Sequence, residues 1–378
     1  MAVKRVKVLF CFGTRPEAIK LAPVITLLKK DKRFDIKICV TAQHREMLDQ
    51  VLGIFKIVPD HDLNIMAERQ TLFDVSQKVL KGMKRVLEYE DPNLLIVQGD
   101  TTTSFIAVLS AFYKKIKIAH VEAGLRSYDK YQPFPEEINR RLISHIVDIN
   151  FAPTQKSKQY LIKENIPGEI FITGNTVVDA LHIIVKTKKA KLPMTFCDNN
   201  KVILLTVHRR ENFGAPLSDI FNAIKRILSD NNFVEVAYPV HPNPNVARIA
   251  NRELRGVKNI HLLKPLDYAT FLKMMMRSDI ILTDSGGIQE EAPTFGKPVL
   301  ILRKKTERPE AIEFRTARLV GTNTSRIIIE TQKLLSSAFE YRKLVQKNNP
   351  FGDGKAARRI HKYLLYYFGY TKKRPRDF

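Results

Sequence analysis

The sequence predicts an α/β protein made of two Rossmann-like, doubly wound domains. Three observations predict it. Short apolar, β-branched runs alternate with longer amphipathic ones from end to end, the pattern of a parallel sheet covered on both faces. The alternation lapses at residues 186–200, KTKKAKLPMTFCDNN, and then restarts. A chain of 378 residues is also too long for one small core. The expected division is 1–175 for the first domain and 176–355 for the second, with an amphipathic segment, 356–378, crossing back to the first.

In chain order, residues 6–12 (VKVLFCF) read as a first strand, followed by GTRPEAIK and a helix over 16–30 with Pro16 in its first turn. A second strand is expected over 35–41 and a helix over 71–90. The strand 94–98 ends in QGDTTTS and leads to a helix over 103–114. The strand 116–121 ends in HVEAGLRS, and FPEEINRRL starts a helix over 136–147. Strands 150–152 and 170–173 flank a helix over 156–165. After the lapse, strands are expected at 202–207, 234–240, 259–263, 279–283 and 298–302, and a last amphipathic helix near 356–367. Polar clusters stand repeatedly at strand exits. Doubly wound sheets bind ligands there, so two such domains are expected to face one another across a cleft between the carboxyl ends of their strands.

Bulk properties narrow the function. Apolar content of 44% and charged content of 27% are those of a globular protein, with no run long enough to span a membrane. The start, MAVKRVKVLFCFG, runs straight into a strand-and-glycine pattern and reads as a strand, not a signal peptide. Cys11, Cys39 and Cys197 form an odd set without metal-ligand spacing, which fits reduced thiols in a cytoplasmic protein. The net charge of +24, from 63 Lys and Arg against 39 Asp and Glu, invites a nucleic-acid partner. The lysines are scattered over expected helix faces and no nucleic-acid-binding motif is present, so no nucleic acid is expected; an enzyme acting on an anionic ligand fits better.

The segment TDSGGIQEE, 283–291, is the most informative. A strand feeding two glycines at a helix start turns backbone N–H groups toward an anion, and glycine lets a phosphate approach closely. Glu290 and Glu291 then offer carboxylates to a ribose. A capped helix with Ser285 as N-cap is the alternative. In GTRPEAIK, Arg15 and Lys20 can reach a phosphate or carboxylate or can be plain surface cations. The motif is neither a dinucleotide fingerprint nor a Walker loop, so NAD and ATP lack support.

Asp100 and Glu122 end neighbouring strands, and Glu136 begins a helix. Such carboxylates can share one pocket for acid–base work. Asp100 and Glu136 can equally be N-caps, whereas Glu122 has no capping task and is the first choice for catalysis. Arg140, one turn beyond Glu136, can pair with it or with a ligand. His208, beside Arg209 and Arg210, makes a cationic corner suited to a diphosphate, and His241 stands at another strand exit. Neither histidine has metal-site spacing, so no metal is expected. Phe271 is either core or a base-stacking ring.

The ordered motifs GTRPEAIKLAPVI, TAQHREMLDQVL, QGDTTTS, HVEAGLRS, PEEINRR, VHRREN, TDSGGIQEEAP, GKPVL and TERPEA resemble the non-hydrolysing UDP-N-acetylglucosamine 2-epimerases across nearly the whole chain. The resemblance implies a glycosyltransferase-B-like fold and reversible inversion at C2 of UDP-N-acetylglucosamine, giving UDP-N-acetylmannosamine for cell-surface polysaccharide. UDP is eliminated to a 2-acetamidoglucal and then re-added, without cofactor or metal. By the same resemblance, Asp100, Glu122 and Glu136 match acid–base carboxylates, with Arg15, Lys20, Arg140 and His208 around the sugar diphosphate. Ser285, Gly286 and Gly287 match a diphosphate cradle, Glu291 a ribose ligand and Phe271 a uracil contact. Gln43, Glu46, Arg69, Arg209 and His241 match an activator site for a second substrate molecule, and a homodimer is implied.

Two departures stand out. Pro242 replaces an expected leucine, and Phe314-Arg315 replaces a small residue and glycine. A hydrolysing relative and a retaining UDP-sugar glycosyltransferase remain as alternatives. The latter does not explain the carboxylates at the first domain's strand exits. A polyanion-binding protein is supported by charge alone.

Overall fold

The computed structural model describes residues 5–42, 45–67, 70–187, 190–345 and 349–378. The chain forms two compact units, 1–183 with 351–378, and 184–350. The first holds a seven-stranded sheet: β1 (Val6–Phe12), β2 (Phe34–Val40), β3 (His61–Asp62), β4 (Leu94–Gln98), β5 (Lys117–Val121), β6 (Ile149–Ala152) and β7 (Glu169–Ile172). Their order is β3-β2-β1-β4-β5-β6-β7 and every pair is parallel. The second holds β8 (Lys201–Thr206), β9 (Val234–Pro239), β10 (Ile260–Leu263), β11 (Ile280–Thr283), β12 (Val299–Ile301) and β13 (Ala317–Leu319). These run β10-β9-β8-β11-β12-β13, again all parallel. Each sheet therefore reverses its winding once, between β1 and β4 and between β8 and β11. Those are the positions where a crevice opens at the strand ends.

The predicted fold class holds. Central strands are apolar throughout because helices cover both faces: Leu9, Phe10, Cys11 and Phe12 are all fully buried. The edge strands β3 and β13, two and three residues long, were not expected; neither is long enough to express an alternation. Several helices start on side-chain caps. Asp74 donates its backbone N–H to the Thr71 hydroxyl at 3.2 Å, and its carboxylate accepts the Thr71 N–H at 2.8 Å. The helix Leu72–Glu90 turns Val75, Val79, Met83, Val86 and Leu87 inward.

The last helix, Ala356–Tyr367, belongs to the first unit and packs against the helix Arg15–Leu28. Asp179 caps it, accepting the N–H groups of Ala356 and Ala357 at 3.1 and 3.0 Å. Cys11 and Cys39 are buried, Cys197 is exposed, and all three are free thiols. Among the described residues no helix is long and apolar enough to cross a membrane.

Candidate active site

In the first unit the site starts at the exit of β1. A Cβ at Gly13 would lie 2.0 Å from the Thr41 hydroxyl, so only glycine fits. The loop is then fixed by Glu17, which is fully buried. Its Oε2 accepts the N–H groups of Gly13 and Thr14 at 3.0 and 2.7 Å. Its Oε1 accepts the hydroxyls of Thr101 and Ser104, both at 2.7 Å. One carboxylate thus ties the exit of β1 to the exit of β4 across the switch point. Glu17 was missed as a site residue, although Thr14-x-x-Glu17 carries the capping-box spacing that signals it. Arg15 stands half-buried at the first position of that helix.

Two of the predicted carboxylates are positioned by cations from this unit. Glu122 follows β5 directly, with φ of +69°, the left-handed region that costs a side-chain-bearing residue strain. Its backbone N–H still reaches the Phe151 carbonyl at 3.0 Å. The buried side chain is ion-paired with Lys20 and accepts Asn175 Nδ2 at 3.1 Å. Asp100, after β4, receives Nε and Nη2 of Arg140 at 3.0 and 2.5 Å, and its carbonyl accepts Asn139 Nδ2 at 3.0 Å. His120 is buried on β5 and contacts the Gly99 carbonyl through Nε2 at 2.7 Å. Burial brings its pKa down to about 4, so it stays neutral near pH 7 and Nε2 carries the proton.

Glu136 is half-buried at the start of the helix Glu136–Ile146. The expected Glu136–Arg140 pair gives way to another: Arg140 meets Asp100 and, at 3.2 Å, Glu137. Glu137 is fully buried because it also accepts the N–H groups of Ser127 and Tyr128 at 3.0 and 3.2 Å. Of two adjacent glutamates, the one facing inward holds the preceding loop. Helical spacing alone allows either to meet Arg140.

In the second unit the corresponding exit belongs to β8. Asp284, fully buried after β11, accepts the N–H groups of His208 and Arg209, both at 2.9 Å through Oδ2, and Asn212 Nδ2 at 3.0 Å. His208 Nδ1 lies 3.5 Å from its other oxygen. Asn212 also reaches the Leu302 carbonyl beyond β12 at 3.1 Å. The His208 and His241 rings stack with centroids 5.3 Å apart and planes 18° from parallel. His241 Nδ1 accepts the Asn243 N–H at 3.1 Å. The Nε atom of Arg209 is buried without a hydrogen-bond partner among the described residues. Asp284 too was missed; a polar residue directly after an apolar strand was its signal.

Ser285 occupies the N-cap position of the short helix Gly286–Glu291, but its side chain makes no capping bond; its own N–H donates to the Thr283 hydroxyl at 2.9 Å. Gly286 also lies against a cation from elsewhere in the chain. A Cβ there would meet the Arg308 guanidinium at 2.8 Å, whereas one at Gly287 would meet nothing closer than 3.9 Å. Arg308, within TERPEA, carries no local signal of its role; it pairs with Glu290 at 2.8 Å and with Glu307 at 3.4 Å. Burial pushes the Glu307 carboxyl up, but the charges of Arg308 and Arg303 outweigh it and hold it well below the usual range. Glu291 accepts the Tyr268 hydroxyl at 2.9 Å. Phe271, half-buried, lies one turn beyond Tyr268 on the helix Tyr268–Arg277, and so on the same side. Of the expected activator residues, Gln43, Arg69 and the side chain of Glu46 lie outside the described residues. No cluster of three His, Cys, Asp or Glu suited to a metal occurs among the described residues.

The family model for UDP-N-acetylglucosamine 2-epimerase matches residues 26–365. A UDP-N-acetylglucosamine 2-epimerase of Bacillus subtilis is 48% identical over 377 residues, covering 100% of this chain and 99% of its own. A Staphylococcus aureus protein solved with UDP superposes with a TM-score of 0.93 at 44% identity, covering 99% of this chain and 100% of its own. The UDP-GlcNAc 2-epimerase of Neisseria meningitidis, solved bound to UDP-GlcNAc, gives a TM-score of 0.90 at 46% identity over 95% of this chain and 100% of its own. Similarity of this extent, spanning both units, places the chain in the UDP-N-acetylglucosamine 2-epimerase family.

Proposed function

We propose that this protein interconverts UDP-N-acetylglucosamine and UDP-N-acetylmannosamine as a non-hydrolysing 2-epimerase. The C2 hydrogen has no neighbouring carbonyl to acidify it, so direct deprotonation is too costly. Elimination solves this: a base takes the C2 proton as the C1–oxygen bond breaks, leaving 2-acetamidoglucal and UDP. A proton delivered to the opposite face of C2 and return of UDP to C1 complete the inversion. Acid–base groups and a diphosphate site suffice for this route.

The observation that carries the reading is the Glu122 carboxylate, held at the exit of β5 in a strained backbone conformation between Lys20 and Asn175. Strain of that kind gathers at functional sites. In this proposal Glu122, Asp100 and Glu136 move protons, while Arg15, Lys20, Arg140 and His208 surround the sugar diphosphate. Ser285, Gly286 and Gly287 cradle the diphosphate, Glu291 takes the ribose and Phe271 the uracil. Arg209 and His241, with Gln43, Glu46 and Arg69, form the activator site. Relatives solved with UDP-GlcNAc and with UDP support a nucleotide-sugar ligand. The product supplies N-acetylmannosamine for cell-surface polysaccharide, made by a cytoplasmic homodimer. Exposed Phe73, Phe112 and Tyr113 on neighbouring helices provide apolar area for such pairing.

Proton NMR of the protein with UDP-N-acetylglucosamine, without acceptor, NAD or added metal, tests the reading. Both UDP-sugars are expected at a steady ratio. Accumulating free N-acetylmannosamine with UDP would make the enzyme hydrolysing, and unchanged substrate would refute epimerisation.

A further inference from the structure

The helix Pro309–Glu313 closes on two hydrogen bonds, Thr316 N–H to the Ala311 carbonyl at 2.9 Å and Arg315 N–H to the Ile312 carbonyl at 3.0 Å. This is a complete Schellman closure, in which the residue after the cap takes a left-handed conformation and is usually glycine. Here that residue is Arg315, at φ of +54°. A long cation thus stands where glycine would be free of strain.

Arg315 lines a cavity of about 370 Å3 together with Ile312, Ala317, Arg318, Lys343 and Leu344. Its neighbours' cations are pre-positioned. Arg318 is ion-paired with Glu330 and with Glu340, the latter at 3.2 Å, and Lys343 meets Glu340 at 2.6 Å. The Arg315 guanidinium has neither an ion pair nor a hydrogen bond among the described residues. Arg315, Arg318 and Lys343 thus stand together beside the apolar Ile312 and Leu344. The cavity sits at the start of β13, and the strands of this sheet are parallel, so it lies at the opposite end of the sheet from Asp284, Ser285 and His208.

We propose that this cavity is a second ligand site, separate from the nucleotide-sugar site, that binds a small organic phosphate. Arg315 supplies the uncompensated charge and a planar fork, Arg318 and Lys343 complete the anion contact, and Ile312 and Leu344 cover the apolar body of the ligand. Arg315 acts as a hinged contact, with the Schellman closure as its fixed base.

Phenyl phosphate serves as the probe, titrated calorimetrically into the full chain in the presence of saturating UDP, with amide shifts of Ala317 and Leu344 followed in parallel. Saturable binding is expected, with both amides moving, and Arg315→Gly is expected to weaken it at least tenfold. Glycine suits the left-handed position, so this variant keeps the fold, and Arg315→Lys is expected to restore part of the affinity. Binding unchanged in Arg315→Gly, or no saturable binding at millimolar probe, would overturn the proposal. The readout is binding, so it does not depend on turnover.

Discussion

At the switch point of the first sheet, Glu17 gathers the N–H groups of Gly13 and Thr14 and the hydroxyls of Thr101 and Ser104. At the switch point of the second, Asp284 gathers the N–H groups of His208 and Arg209 and the amide of Asn212. Each is a buried carboxylate that joins the exit of a first strand to the exit of a fourth. What surrounds them differs. Asp100, Glu122, Glu136 and Glu137 crowd the first sheet's exits, answered by Lys20 and Arg140. Arg209, Arg303, Arg308 and two histidines crowd the second, answered by Glu211, Glu290 and Glu307. The same strand order over six strands and the same kind of carboxylate tie set the loop geometry. In the proposed function, the side chains placed on those loops then divide the work between proton transfer and anion binding.

The comparison breaks most easily at Glu122. Glu122→Gln is expected to lower kcat by about 10²–10⁴-fold, the range for loss of a general acid or base. UDP affinity, measured by calorimetry, should stay nearly constant; retained turnover would remove Glu122 from the mechanism. The opposite pattern is expected at Asp284. Asp284→Ala strands several buried donors and should cost about 3 kcal/mol in urea unfolding, with UDP binding weakened along with it. Wild-type UDP affinity in that variant would separate the tie from the anion site.

Asp179 extends the comparison to a buried carboxylate outside the strand exits. Burial pushes its pKa up from 3.8 to about 6, against the hydrogen bonds from Ala357 and Ala356. Between those values the folded state holds a proton that the unfolded chain has released. Its contribution is therefore full below pH ~4 and is lost as pH rises through ~6, amounting to about 3 kcal/mol. Denaturation of Asp179→Asn across this range should show the slope flattened. The smallest expected effect is at Arg315. Arg315→Gly should raise stability by about 0.5–1 kcal/mol through relief of the left-handed strain, offset in part by glycine's extra entropy. A lower melting temperature would contradict it.

Much of this was legible in the sequence, for identifiable reasons. The central strands announce themselves because burial on both faces forces continuous apolar runs, as in VKVLFCF and LLIVQ. Strand-exit positions then follow from counting residues, which is how Asp100, Glu122 and His208 were singled out. The edge strands β3 and β13 are too short to carry a period. Long-range choices were hidden as well. Nothing local tells Arg140 to reach back forty residues to Asp100, or tells Glu137 to hold the loop at Ser127 and Tyr128. The packing of Gly286 against Arg308, twenty-two residues further on, is likewise invisible locally.

The central claim is that the first unit's carboxylates exchange the C2 proton while UDP is held for return. Its most direct measurement is mass and NMR analysis of UDP-sugars after incubation of the protein with UDP-N-acetylglucosamine in heavy water. The account predicts one deuterium at C2 of both UDP-sugars, and none when Glu122→Gln replaces the natural protein. Interconversion that leaves C2 unlabelled, or labelling that persists in Glu122→Gln, would contradict it.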